Sequence, residues 1–278
     1  MHAPAGDQRT YPHGVPCWVD TEQPDPDAAR RFYGGLFGWT FEEAMPPGAP
    51  GSYLIAKLDG RDVAAIGPGT DRASWNTYIA VDDADAAAAA VTSAGGSVLT
   101  GPQDAGPGGR TATGTDPGGA EFRLWQARRR LGAQVANVPG AWNFSHLHAV
   151  DRVRQIAFYS SVFGWLAELP EDGSGALIRV PGYGDHLAAT SDPGIRERQA
   201  FAPPGFADVA AALTTADPGE PTHWHVLFTV ADRDKSAATA DALGATIRST
   251  SETAWTKEAL VRDPQGAEFT LSQFTPPG

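Results

Sequence analysis

Residues 14–21 alternate between two faces, with Trp18, Asp20 and Glu22 on one side and Val19 and Thr21 on the other, which predicts a strand. From 26 to 36 the apolar spacing becomes helical behind an aspartate suited to an N-cap, and Gly38 stands where the helix must stop. Short strands are predicted at 40–43, 52–56 and 62–66, separated by turns rich in proline and glycine. The same order of strand, helix and three strands returns at 75–81, 83–94, 97–100, 110–115 and 120–126. Its helix is alanine-rich and ends at Gly95-Gly96, and Asp116-Pro117-Gly118-Gly119 turns the chain into the last strand.

The chain then repeats itself. Phe32-Tyr33-Gly34-Gly35-Leu36-Phe37-Gly38-Trp39 reappears 126 positions later as Phe158-Tyr159-Ser160-Ser161-Val162-Phe163-Gly164-Trp165, and Asp25 matches Asp151 at the same offset. Trp75, Val81 and Gly95 match Trp224, Val230 and Gly244 at an offset of 149. Asp263-Pro264-Gln265-Gly266-Ala267-Glu268-Phe269 echoes Asp116-Pro117-Gly118-Gly119-Ala120-Glu121-Phe122. Four units in two pairs is therefore the expected architecture. The repeated aromatics read as core. The halves differ in one place, because 10 positions separate Ala65 from Trp75 and 35 separate Ala189 from Trp224. The extra stretch, 190–222, is expected to be a long loop with a helical run near 208–213, either a lid over a pocket or a passive surface loop.

Composition narrows the class. A net charge of -12 lacks the basic face that phosphate binding needs, which argues against nucleic acid and anionic membrane partners. No apolar run reaches the length of a membrane span, and Met1 to Pro12 lacks the apolar core of a signal peptide. Cys17 is the only cysteine, which excludes an intrachain disulfide and suits a reducing cytoplasm. A small molecule, or a second copy in a homodimer, is the expected partner; a monomer fits equally.

The repeated unit, the Asp-(x)6-Phe-Tyr-(x)3-Phe-Gly-Trp signature and the Asp-Pro-x-Gly-x-Glu-Phe ending resemble the vicinal oxygen chelate superfamily, which includes glyoxalase I, extradiol dioxygenases and bleomycin-resistance proteins. The resemblance covers residues 14–274. It implies an α+β fold of four βαβββ modules in tandem, paired into two open eight-stranded barrel-like domains at 14–127 and 140–278, with a tail at 1–13 and a linker at 128–139. In metal-dependent members, ligands project from the first strand of each unit and the last strand of the second. The matching positions in the second half are Phe144, His225 and Thr270, with His146, His148 and Glu268 on the same strand faces one or two pleats away. In the first half they are Trp18, Asn76 and Arg123, with no histidine nearby.

Five of the seven histidines fall in the second half. His146, His225 and Glu268 would make a two-histidine, one-carboxylate set for a single divalent ion of Fe, Zn, Mn or Ni, leaving His148, His223 and His186 as acid/base candidates. Trp18, Asp20, Glu22, Asn76, Tyr78, Phe144 and Trp224 are candidate walls for an organic ligand, although the tryptophans suit core packing equally well. Three readings stand side by side: a hydroxylase-, dioxygenase- or lyase-type enzyme, a metal-free binder that sequesters its ligand, and a module whose pockets are vestigial.

Overall fold

In a computed structural model describing residues 9–49, 51–200 and 202–275, the four predicted units are all present. The first holds β1 (Pro16–Gln23), α1 (Pro26–Phe37), β2 (Thr40–Glu43), β3 (Leu54–Leu58) and β4 (Arg61–Pro68). The second holds β5 (Ser74–Ala80), α2 (Ala84–Ser93), β6 (Ser97–Ala105), β7 (Gly109–Thr115) and β8 (Glu121–Ala127). Next come β9 (Trp142–Ala149), α3 (Arg152–Phe163), β10 (Ala176–Arg179), α4 (Tyr183–Ala189), α5 (Ile195–Arg198) and β11 (Val209–Thr215). The fourth unit is β12 (His223–Thr229), α6 (Arg233–Ala242), β13 (Thr246–Glu252), β14 (Thr256–Arg262) and β15 (Glu268–Phe274).

Aspartates open all four long helices. Asp25, Asp83, Asp151 and Asp232 each accept from amides of the first helical turn, which removes donors that would otherwise stay unsatisfied. Gly38 and Gly164, both left-handed with φ near 70°, close α1 and α3. In every unit the first strand pairs in parallel with the last, as in Asp20 opposite Ala65, Tyr78 opposite Arg123, His146 opposite Ala212 and Leu227 opposite Thr270.

Two mixed sheets result, ordered β2-β3-β4-β1-β5-β8-β7-β6 and β10-β11-β9-β12-β15-β14-β13. The second sheet has seven strands where eight were expected. The counterpart of β2 shrinks to one bridge between Leu166 and Arg179. In the first half, half-buried Phe41 and the Glu43 carboxylate, which accepts from Met45 N, Tyr53 N and Ser52 Oγ, fix β2 and its loop. Ala167 and Leu169 stand at those positions in the second half and can do neither.

A second difference concerns the insertion. The run 208–213 forms no helix beyond a short 3-10 turn, and from Val209 it is strand β11. Alanine's helical preference amounts to less than about 1 kcal/mol per residue. Ladders with β10 on one side and β9 on the other outweigh it, with Val209, Ala211 and Leu213 buried. The extra residues therefore lie between β10 and β11, as α4, α5 and their connections.

Of the expected tail, 1–8 lie outside the described residues. The remainder is tied down: Arg9 Nη2 donates to the Tyr183 hydroxyl at 2.8 Å and Thr10 Oγ1 lies 2.9 Å from His186 Nε2. The segment 128–139 is likewise hydrogen-bonded, through Arg130 O with Trp125 Nε1 and Gln134 with the backbone of Asp62.

Contacts divide the chain into two compact units. One comprises the described residues up to Cys17, Thr77–Gly132 and Ser145–Trp224; the other comprises Trp18–Asn76, Ala133–Phe144 and the described residues from His225 onward. In the former, α2 packs on α3, and Phe122 meets Phe158, Tyr159 and Phe163. In the latter, α1 packs on α6, and Phe269 meets Phe32, Tyr33, Phe37 and Phe228.

Each unit is built around a buried aspartate. Asp116 accepts from Gly118 N, Ala120 N, Gln155 Nε2 and the Tyr159 hydroxyl, and that hydroxyl accepts from Trp224 Nε1 at 2.8 Å. Asp263 accepts from three amides of its own turn, from Gln23 Nε2 and from the Tyr33 hydroxyl, which accepts from Trp75 Nε1. Asp116→Ala should cost about 2–4 kcal/mol by stranding buried donors, whereas Tyr159→Phe should cost about 1 kcal/mol. Urea unfolding midpoints check both, and equal losses would contradict the assignment of Asp116 as the shared acceptor.

Candidate functional site

β9 carries His146 and His148 on one face, since residues two apart on a strand point the same way. His148 lies opposite Thr214 of β11. The chain then leaves β11, turns through Asp217-Pro218-Gly219-Glu220, and enters β12 at His223. That turn brings Glu220 between two imidazoles. His148 Nδ1 lies 3.4 Å from the Glu220 carboxylate and His223 Nε2 lies 3.7 Å from it, while the two rings sit 4.7 Å apart.

The turn is held from several sides. Glu220 Oε2 accepts from Asp217 N at 2.7 Å, Ala216 N donates to Ala149 O, and Val150 N donates to Thr222 Oγ1. Burial and the neighbouring His223 lower the pKa of His148. Burial opposes ionisation of Glu220, yet the Asp217 amide and the two histidines hold its pKa below the ordinary carboxylate value. His146 is pushed down to about 4 by burial and by His148. Neutral imidazoles and an ionised carboxylate are the forms in which these groups bind metals.

Of the three acid/base candidates, His148 and His223 therefore meet, and Glu220, which the sequence did not single out, joins them. Its signal was a proline-flanked acidic residue three positions before His223. His186 sits on α4, where its Nε2 lies 2.9 Å from Thr10 Oγ1 and 3.1 Å from Thr10 O. Of the expected metal set, His146 belongs to the first-described unit, and His225 and Glu268 to the other. His225 Nε2 lies 2.9 Å from Thr270 Oγ1, and the exposed Glu268 faces Arg248 at 3.7 Å.

Among the expected ligand walls, Trp18, Asp20 and Asn76 form one cluster. Buried Asp20 accepts from the Tyr53 hydroxyl at 2.8 Å and from Asn76 Nδ2 at 2.9 Å, and Trp18 Nε1 donates to that same hydroxyl. The sequence places Tyr53 in a strand, and nothing in its neighbours betrays this role. Glu22 continues the Asp20 face of β1, opposite Gly67. Tyr78 packs edge-on against Trp125 beneath the Arg123 guanidinium. Trp224 belongs to the aromatic core with Tyr159 and Trp165.

Comparison with known proteins decides the family. A profile described as "Glyoxalase-like domain" matches residues 145–272, and one described as "Glyoxalase/Bleomycin resistance protein/Dioxygenase superfamily" matches 23–124. CFP32 of Mycobacterium tuberculosis, provisionally named a glyoxylase, is 36% identical over 274 residues, covering 96% of this chain and 97% of its own. The chain is a two-domain member of the vicinal oxygen chelate superfamily. The anthracycline biosynthesis protein DauV of Streptomyces sp. strain C5 is 34% identical, with 94% of each chain covered. Two solved superfamily folds superpose. The Mn(II)-bound glyoxalase from Novosphingobium aromaticivorans gives a TM-score of 0.59 at 16% identity, covering 95% of this chain and 84% of that one. The 2,3-dioxygenase LapB from Pseudomonas sp. KL28 gives 0.61 at 14%, covering 94% and 93%.

The superfamily's usual ligand positions in the second half hold Phe144, His225 and Thr270, and this donor set does not fit a divalent metal. Phe144 offers no donor atom, Thr270 offers only a hydroxyl, and His225 Nε2 lies 2.9 Å from that hydroxyl.

Because the folded-state pKa of His146 lies below 6.5, its contribution to stability is present above 6.5 and is lost as pH falls toward about 4. In metal-free buffer, the unfolding free energy from urea titration should drop over that window by up to about 3 kcal/mol, and His146→Gln should flatten the drop. An unchanged slope in that variant would assign the loss elsewhere.

Proposed function

We propose that the protein binds a small, flat, hydroxylated aromatic molecule, and does so without a metal ion at the superfamily's usual ligand positions. The donor set carries this reading: a hydrocarbon, a hydroxyl and an imidazole already hydrogen-bonded to that hydroxyl stand where a metal would need three ligands. A ligand of this kind needs aromatic faces and a few fixed polar groups. Trp18, Tyr53, Asn76 and the buried Asp20 carboxylate offer that combination, and a phenol or an ammonium group would meet Asp20 through a charge-assisted hydrogen bond. The name of DauV supplies the ligand class, since an anthracycline is a fused, hydroxylated ring system.

Turnover is the second reading, favoured by the His148–His223 pair. An imidazole held neutral by burial can accept a proton from a bound hydroxyl.

Titrating the protein with the anthracycline daunorubicin while following tryptophan fluorescence tests the first reading. We expect saturable quenching with a micromolar dissociation constant that survives chelation by EDTA. Asp20→Asn should weaken it about tenfold, or ~1.4 kcal/mol. Absence of saturation, or loss of binding on chelation, would overturn the proposal.

A further inference from the structure

His148, Glu220 and His223 gather three potential metal-ligand atoms in one place. His223 Nδ1 lies 3.0 Å from Pro221 O, and a carbonyl oxygen can only accept, so Nδ1 carries the proton. The lone pair of a neutral His223 then sits on Nε2, which faces the Glu220 carboxylate at 3.7 Å. An acceptor set against an acceptor is relieved by a donor or a cation between them: a water, a second proton on the ring or a metal ion.

Distances favour the ion. A tetrahedral centre with bonds of about 2.0–2.1 Å places neighbouring ligand atoms roughly 3.3 Å apart. The His148 Nδ1 and His223 Nε2 contacts with Glu220 Oε1, at 3.4 and 3.7 Å, are near that edge and long for charge-assisted hydrogen bonds. All three potential ligand atoms lie within 4.8 Å of one another. The Pro221 carbonyl also orients the His223 ring, as outer partners of metal-bound histidines do.

We propose that His148, Glu220 and His223 bind one divalent transition-metal ion, zinc by their ligand chemistry, at a place separate from the superfamily's usual site. Separation follows from the strand: His148 is four residues beyond Phe144, roughly 13 Å along β9. The three side chains keep 24%, 28% and 34% of their surface exposed, so an ion can enter and a fourth position can hold water or a ligand atom. The backbone bonds that hold the turn fix the ligands before any ion arrives. The site stands whether or not the proposed organic ligand is correct.

Calorimetric titration of tag-free, EDTA-treated protein with zinc chloride tests it. One equivalent should bind with a dissociation constant of micromolar or tighter, and cobalt in its place should give the intense visible bands of a tetrahedral centre. Glu220→Gln should weaken zinc at least tenfold, and His148→Gln and His223→Gln should each remove the tight phase. His225→Ala should leave it intact. Circular dichroism checks folding, and because Glu220 and His223 lie at the surface, their variants keep the test decisive if His148→Gln does not fold. Absence of stoichiometric binding by the unaltered protein would overturn the site. Zinc retained in His148→Gln and His223→Gln but lost in His225→Ala would overturn it in favour of the other histidine.

Discussion

A buried carboxylate accepting from a tyrosine hydroxyl is the interaction on which the rest of the molecule depends. Asp116 with Tyr159, and Asp263 with Tyr33, join the last turn of one module to the helix of another. Each carboxylate also closes its own turn by accepting backbone amides, so one group shapes a loop and docks a helix together. Desolvation raises the pKa of Asp116 and pushes both tyrosines well above the ordinary phenol range. Such groups tolerate burial because their hydrogen bonds are made, and the loss of one partner leaves the others uncompensated. The backbone is fitted to the same purpose: a Cβ at Gly118 would lie 2.0 Å from Gln155 Nε2.

That constraint explains why the repeated motifs are shared between modules while the functional residues are not. Aromatic and aspartate positions recur because every module needs the same anchor. Strand faces are free to vary once the anchors hold. One half presents Tyr53 and Asn76 as neutral donors around the Asp20 carboxylate; the other presents imidazoles toward the C-terminal end of β9 and at the start of β12. At the usual ligand positions of the second half, Phe144 and Thr270 offer a hydrocarbon and a hydroxyl.

The insertion works in the same sense. By lying between β10 and β11, it leaves β11 paired with β9 and so leaves the β11–β12 turn short and firmly held. Glu220 gains its place beside His148 from that arrangement. The described N-terminal residues reinforce the inserted helix, since Thr10 meets His186 and Arg9 meets Tyr183.

Local chemistry repeated along the chain was enough to determine the βαβββ order of three of the four modules, the aspartate caps, the glycine stops and the superfamily, because each depends on residues close in sequence. The sequence also supplied the histidine-rich second half. It could not decide that Val209–Thr215 is a strand, since alanine is compatible with either state and only the flanking ladders choose between them. Nor could it bring Glu220 to His148, 72 positions away, or Tyr53 to Asp20, 33 positions away. Those meetings are set by strand register and turn closure, which are properties of the assembled sheet and not of any stretch of sequence read alone.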